Sequence, residues 1–131
     1  MTSTLTLVIY MAILTWLALL AASLIRANGW TLPGMMIAMG NRDNLPEATP
    51  LAARADRAAR NTVEGFILFA AIALTAHAAG IASPRVALGA QVFFWSRILY
   101  IPVYYAGIAY LRTVVWTVGI AGLAMMISPL V

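Results

Sequence analysis

Four runs of about 20 mainly apolar residues, each long enough to cross a bilayer, constrain this chain more than any other feature. They cover residues 5–25, about 58–80, 86–105 and about 109–130. Hydrophobic residues make up 63% of the 131 and charged residues only 9%, against about 45–50% and 25% in an ordinary soluble domain. A chain of this size buries only about two-thirds of its surface on folding, so it cannot hide that much apolar area from water. Lipid must be most of its solvent, which excludes a soluble enzyme. The expected fold is an all-α integral membrane protein, a four-transmembrane-helix bundle forming one domain over residues 1–131.

The polar segments between the runs are informative. Residues 27–53 form the one long loop, with Asn28-Gly29, Pro33-Gly34 and the stretch from Gly40 to Pro46 supplying turn chemistry. Residues 32–39 are apolar enough to lie at a membrane interface. Pro50 predicts an early start for the second long helix, which then protrudes beyond the membrane. Pro102 falls inside the third and should kink it. The first run has no preceding positive charge and exceeds the usual signal-peptide core of about 7–15 residues, so it is expected to stay as a span.

All eight basic residues are arginine, against two Asp and two Glu. The side bearing the first and third loops holds six of them (Arg26, Arg42, Arg54, Arg57, Arg60 and Arg112), and the opposite side holds only Arg85. The positive-inside rule then places the long loop in the cytoplasm and both termini on the non-cytoplasmic side. These arginines sit beside or within apolar runs rather than on a solvated basic face, so nucleic acid is not the expected partner. No cysteine and one histidine leave no set of metal ligands, and any thiol chemistry must come from a substrate.

Two stretches carry the candidate chemistry. At about 100° per residue, Arg57, Arg60, Asn61 and Glu64 share one arc of roughly 100° on the second long helix. In the third, Arg97, Tyr100 and Tyr104 recur at i, i+3 and i+7, again on one face. Arg97 lies about 12 Å from the cytoplasmic end at 1.5 Å per residue. An intramembrane arginine costs at least about 2.5–3.5 kcal/mol on insertion scales, so it needs a partner, and Glu64 at similar depth is the expected one. Arg112 opens the fourth helix at the same membrane surface. Taken singly, Arg54, Arg57 and Arg112 read as positive-inside anchors, Glu64 with Arg97 as a structural pair, and Tyr100, Tyr104 and Trp116 as an aromatic belt. His77 reads as an interface histidine near the far surface. Those readings leave unexplained why two helices place matched polar faces at matched depth.

Guanidinium forks grip carboxylates, so the set suits a small anionic or zwitterionic ligand. An arginine beside a bound thiol lowers its pKa from about 8.5 and favours the thiolate. Here the sequence resembles the membrane-associated proteins in eicosanoid and glutathione metabolism, the MAPEG family, and looks closest to a bacterial branch. Arg57-Ala-Ala-Arg60-Asn61-Thr-Val-Glu64 is similar to the second-helix motif, and Arg97-Ile-Leu-Tyr100-Ile-Pro-Val-Tyr104 to the third-helix motif. Arg112 resembles the catalytic arginine of the family's leukotriene and prostaglandin synthases, although Thr113 stands where the prostaglandin synthase carries serine. The resemblance implies a homotrimer in a bacterial inner membrane, with glutathione as co-substrate between neighbouring subunits and a small lipophilic electrophile as second substrate. It also implies that Arg57, Arg60, Asn61, Glu64, Arg97, Tyr100 and Tyr104 bind glutathione and that Arg112 stabilises its thiolate. A glutathione-dependent transferase or peroxidase is the leading expectation. A non-catalytic lipid-binding or scaffold protein of the same fold is the alternative, and a small multidrug transporter the third.

Overall fold

The computed structural model describes residues 1–131 and contains five helices and no strand. They are α1 (Ser3–Ala27), α2 (Leu32–Met39), α3 (Pro50–Ala78), α4 (Pro84–Ala106) and α5 (Ala109–Ile127). All but α2 are long and apolar enough to cross a membrane.

Helix boundaries follow local chemistry. The side chains of Thr2, Thr49 and Ser83 cap α1, α3 and α4 by accepting from Leu5, Ala52 and Arg85 backbone N–H groups. Such caps satisfy donors that have no partner within the helix. Pro50 and Pro84 stand in the first turns, where the missing N–H costs nothing. At the other ends, Asn28 (φ 52°) and Gly107 (φ 76°) take the left-handed conformation that closes α1 and α4. Thus α3 starts at Pro50, as expected of a protruding helix, but stops at Ala78. The fourth long helix ends at Ile127 rather than residue 130; Ser128 still has helical backbone geometry, but Pro129 has no N–H with which to continue the ladder. Despite Pro102, α4 continues to Ala106; the proline removes the donor for the Ile98 carbonyl without ending the helix.

The apolar stretch at residues 32–39 is itself a helix, capped by Thr31, whose side chain accepts from Gly34 N–H. Its Gly34 lies so close to the Asn28 and Ala27 carbonyls that any Cβ there would overlap them. Arg42 clamps the same corner, donating to the Ser23 hydroxyl at 2.7 Å and to the Ala38 carbonyl at 3.2 Å.

The bundle joins two closely packed pairs, α1 with α3 and α4 with α5, through contacts of α3 and α1 with α4. Small residues set both approaches. Ala18 and Ala22 meet Ala55 and Ala59 between α1 and α3. A Cβ on Gly89 would lie 2.5 Å from the Gly122 carbonyl oxygen, and one on Gly122 would lie 2.8 Å from that of Gly89. The core is centred on Met11, Phe69, Phe93 and Met126, with the rings of Phe69 and Phe93 stacked at 4.8 Å. Large apolar side chains such as Trp16, Ile67, Trp95, Leu99 and Val114 face outward, as they should where the surrounding medium is lipid.

Candidate functional site

One groove runs along α3, α4 and α5 near the end where α4 turns into α5. Its outer part is a cavity of about 240 Å³ lined by Asn61, Tyr100, Tyr104, Arg112, Thr113 and Trp116. The inner part, about 120 Å³, shares Asn61 and Trp116 and adds Glu64, Arg97 and a wall of Leu68, Phe93, Ile120 and Leu123. A polar mouth therefore leads to an apolar end. Six of the eight residues expected from the sequence line this groove. Helical periodicity explains the convergence, since Arg97, Tyr100 and Tyr104 share a face of α4 while Gly107 turns the chain so that Arg112 rises in the first turns of α5.

The expected Glu64–Arg97 pair does not form. The one ion pair in the chain is Arg60 with Asp56, at 3.0 Å. Arg97, only 3% exposed, instead donates from Nη1 to Asn61 Oδ1 at 2.8 Å and from Nη2 to Thr62 Oγ1 at 2.9 Å. Its guanidinium carbon also lies 4.1 Å from the centre of the Tyr100 ring. The physical reason is position along α3: Arg97 points into the buried face at Asn61 and Thr62, whereas Glu64 is a turn further on and exposed. Glu64 thus faces the groove without an ionic partner.

Thr62 was not legible as a site residue. It falls about 140° from Arg57 on the helical wheel, outside the polar arc and among alanines. The available signal was the demand of an intramembrane arginine for acceptors, which a buried hydroxyl meets without a second charge. Thr62 Oγ1 also donates to the Ala58 carbonyl at 2.7 Å, which fixes the rotamer that receives Arg97.

Tyr104 links the rest of the set. Its ring meets Tyr100 edge-on, with centroids 5.5 Å apart. Its hydroxyl accepts from Arg57 Nε at 3.1 Å, and the Arg112 guanidinium carbon lies 4.4 Å from its ring centre. Cation–π contacts of this kind are worth about 0.5–2 kcal/mol. Arg112 is held over the Tyr104 ring in this way, and its side-chain N–H donors have no hydrogen-bond partner in the chain and are free for a ligand. Arg57 reaches the groove only through Tyr104. Arg60 does not reach it, because it is tied to Asp56 in a separate cleft with Arg26. Arg54 is structural, donating from Nε to the Tyr105 carbonyl at 3.0 Å where α4 ends. His77 lies at the opposite end of the bundle, exposed beside a larger cavity of about 480 Å³ that holds none of these charged groups.

The guanidinium groups of Arg97 and Arg112 in the same groove as Glu64 argue against a cation transporter, because they repel a cation. No curated protein and no solved structure matches the chain. The MAPEG family model matches residues 3–130, and the chain belongs to the MAPEG family.

Proposed function

We propose that this MAPEG protein is a glutathione-dependent membrane transferase or peroxidase acting on lipophilic electrophiles. The observation that carries the reading is the groove in which a free carboxylate, Glu64, and a free guanidinium, Arg112, flank Asn61 and two tyrosines. Glutathione offers complementary groups: an ammonium for Glu64, carboxylates for arginine, and a thiol. In this reading Arg57, Asn61, Glu64, Arg97, Tyr100 and Tyr104 line its site, and Arg60 adds positive charge nearby. Arg112 stabilises the thiolate, as a neighbouring arginine does. In a transfer, the thiolate sulfur forms a bond to the electrophilic carbon while a leaving group departs with the carbon's bonding pair. The apolar inner wall of Leu68, Phe93, Ile120 and Leu123 suits the hydrocarbon part of that substrate.

The assembly is a homotrimer in which a neighbouring copy covers the groove. Support comes from Glu64, an exposed carboxylate about six residues inside the apolar run 58–80, where a charge facing lipid costs several kcal/mol. The chain sits in a bacterial inner membrane with both termini on the non-cytoplasmic side, supported by the arginine asymmetry. A second reading, non-catalytic lipid binding, is favoured by an almost wholly apolar furrow of about 390 Å³ between α4 and α5, lined by Val92, Trp95, Leu99, Val114 and Val118.

The test is thermal unfolding of detergent-purified protein with millimolar reduced or oxidised glutathione. A ligand at 100 times its Kd adds about 2.7 kcal/mol to the folded state, and the reduced form is expected to raise Tm clearly. No shift in a folded trimer would overturn glutathione binding and leave the lipid-binding reading.

A further inference from the structure

The largest cavity of the bundle, about 480 Å³, lies at the end opposite the groove, between the starts of α1 and α4 and the end of α3. Leu5, Ala76 and Val86 give it apolar walls, and no Asp, Glu, Lys or Arg lines it. Two of its hydroxyls, on Thr2 and Ser83, are occupied in capping α1 and α4. The hydroxyls of Ser3 and Thr4 and the His77 imidazole also line it and make no hydrogen bond within the chain. Ala73 lies one turn below His77 on α3, about 6 Å at 1.5 Å per residue, so the cavity reaches from the polar rim into the apolar run. A mainly apolar cleft of about 300–1,000 Å³ with a few convergent polar groups is the usual form of a small-molecule site.

We propose that this cavity binds the head of an isoprenoid quinone from the leaflet around the start of α1. The lack of any fixed charge selects a neutral head, because a charged one would leave water without a counter-ion. Free donors stand on two walls, Ser3 and Thr4 on α1 and His77 on α3, and apolar side chains line the rest. A flat ring with a carbonyl oxygen at each edge accepts from both walls, its faces cover the apolar side chains, and its hydrocarbon tail runs into lipid. Binding there is independent of glutathione, since this cavity and the groove share no residue.

His77 is the only histidine in the chain, so its imidazole NMR signals report on this cavity without ambiguity. The full-length protein in detergent micelles, without glutathione, is titrated with decylubiquinone while those signals are followed. A saturable shift is expected. Thr4→Val keeps the side-chain shape and removes one donor, so Kd should rise about three- to tenfold, the scale of one neutral hydrogen bond. Ala87→Phe places a ring in the cavity that Ala87 lines and should abolish the saturable shift; Ala87→Leu serves if the larger side chain prevents folding. A shift that is absent or grows without saturating, or a Kd unchanged in either the Thr4 or the Ala87 variant, would overturn the site. An equal saturable shift with monoolein, a neutral glyceride that has no ring, would assign the cavity to neutral lipids at large and overturn the quinone.

Discussion

Replacing Thr62 by valine tests the arrangement around Arg97 directly. Valine keeps the branched shape of threonine, so no cavity opens at this fully buried position. What is lost is the hydroxyl that accepts from Arg97 Nη2 at 2.9 Å. Arg97 Nε already lacks a partner, so the substitution leaves a second buried guanidinium nitrogen unsatisfied. A hydrogen bond to a charged group contributes about 1.5–3 kcal/mol, whereas hydrogen bonds between membrane helices average about 0.6 kcal/mol. The charge and the 3% exposure of Arg97 favour the larger range, so Thr62→Val should destabilise by about 1.5–3 kcal/mol. Reversible unfolding in mixed detergent micelles measures this, and a double-mutant cycle with Arg97→Met isolates the pair. Removing both partners should recover much of the loss, because no buried charge then lacks an acceptor. The same cycle between Glu64→Gln and Arg97→Met should give a coupling within about 0.5 kcal/mol of zero, as for pairs without contact. A coupling for Thr62 below about 0.6 kcal/mol, or a larger one for Glu64, would refute the reasoning.

Three further outcomes are expected. Arg112→Ala should lower conjugation kcat by about 10²–10³, the scale for losing one preorganised donor to a developing anion, while trimer elution and glutathione affinity change little; unchanged kcat would remove its assigned role. Tyr104→Phe should free Arg57 without opening a cavity and weaken glutathione binding about tenfold, the order of one charge-assisted hydrogen bond, read by calorimetry against an unchanged Tm. Gly122→Ala should cost about 1–3 kcal/mol of stability by overpacking, since its Cβ would lie 2.8 Å from the Gly89 carbonyl oxygen; a Tm equal to wild type would show that α4 and α5 can separate without cost.

The membrane fold was legible in the sequence because its causes are local. Four apolar runs of spanning length leave a bilayer as the only medium that accommodates them, and caps such as Thr49-Pro50 and Ser83-Pro84 sit where helices begin. Helical periodicity likewise grouped Arg97, Tyr100 and Tyr104, because one face of one helix is a property of spacing alone. Which groups satisfy which others depends on how helices rotate and approach, and tertiary packing decided that. It turned Arg97 onto Asn61 and Thr62 rather than Glu64, sent Arg60 to Asp56 and Arg26 instead of the groove, and set Tyr104 between Arg57 and Arg112. The physical reason is range: a helix propensity or an apolar run acts within a few turns, whereas a buried guanidinium takes the acceptor that the neighbouring helix presents within 3 Å or so.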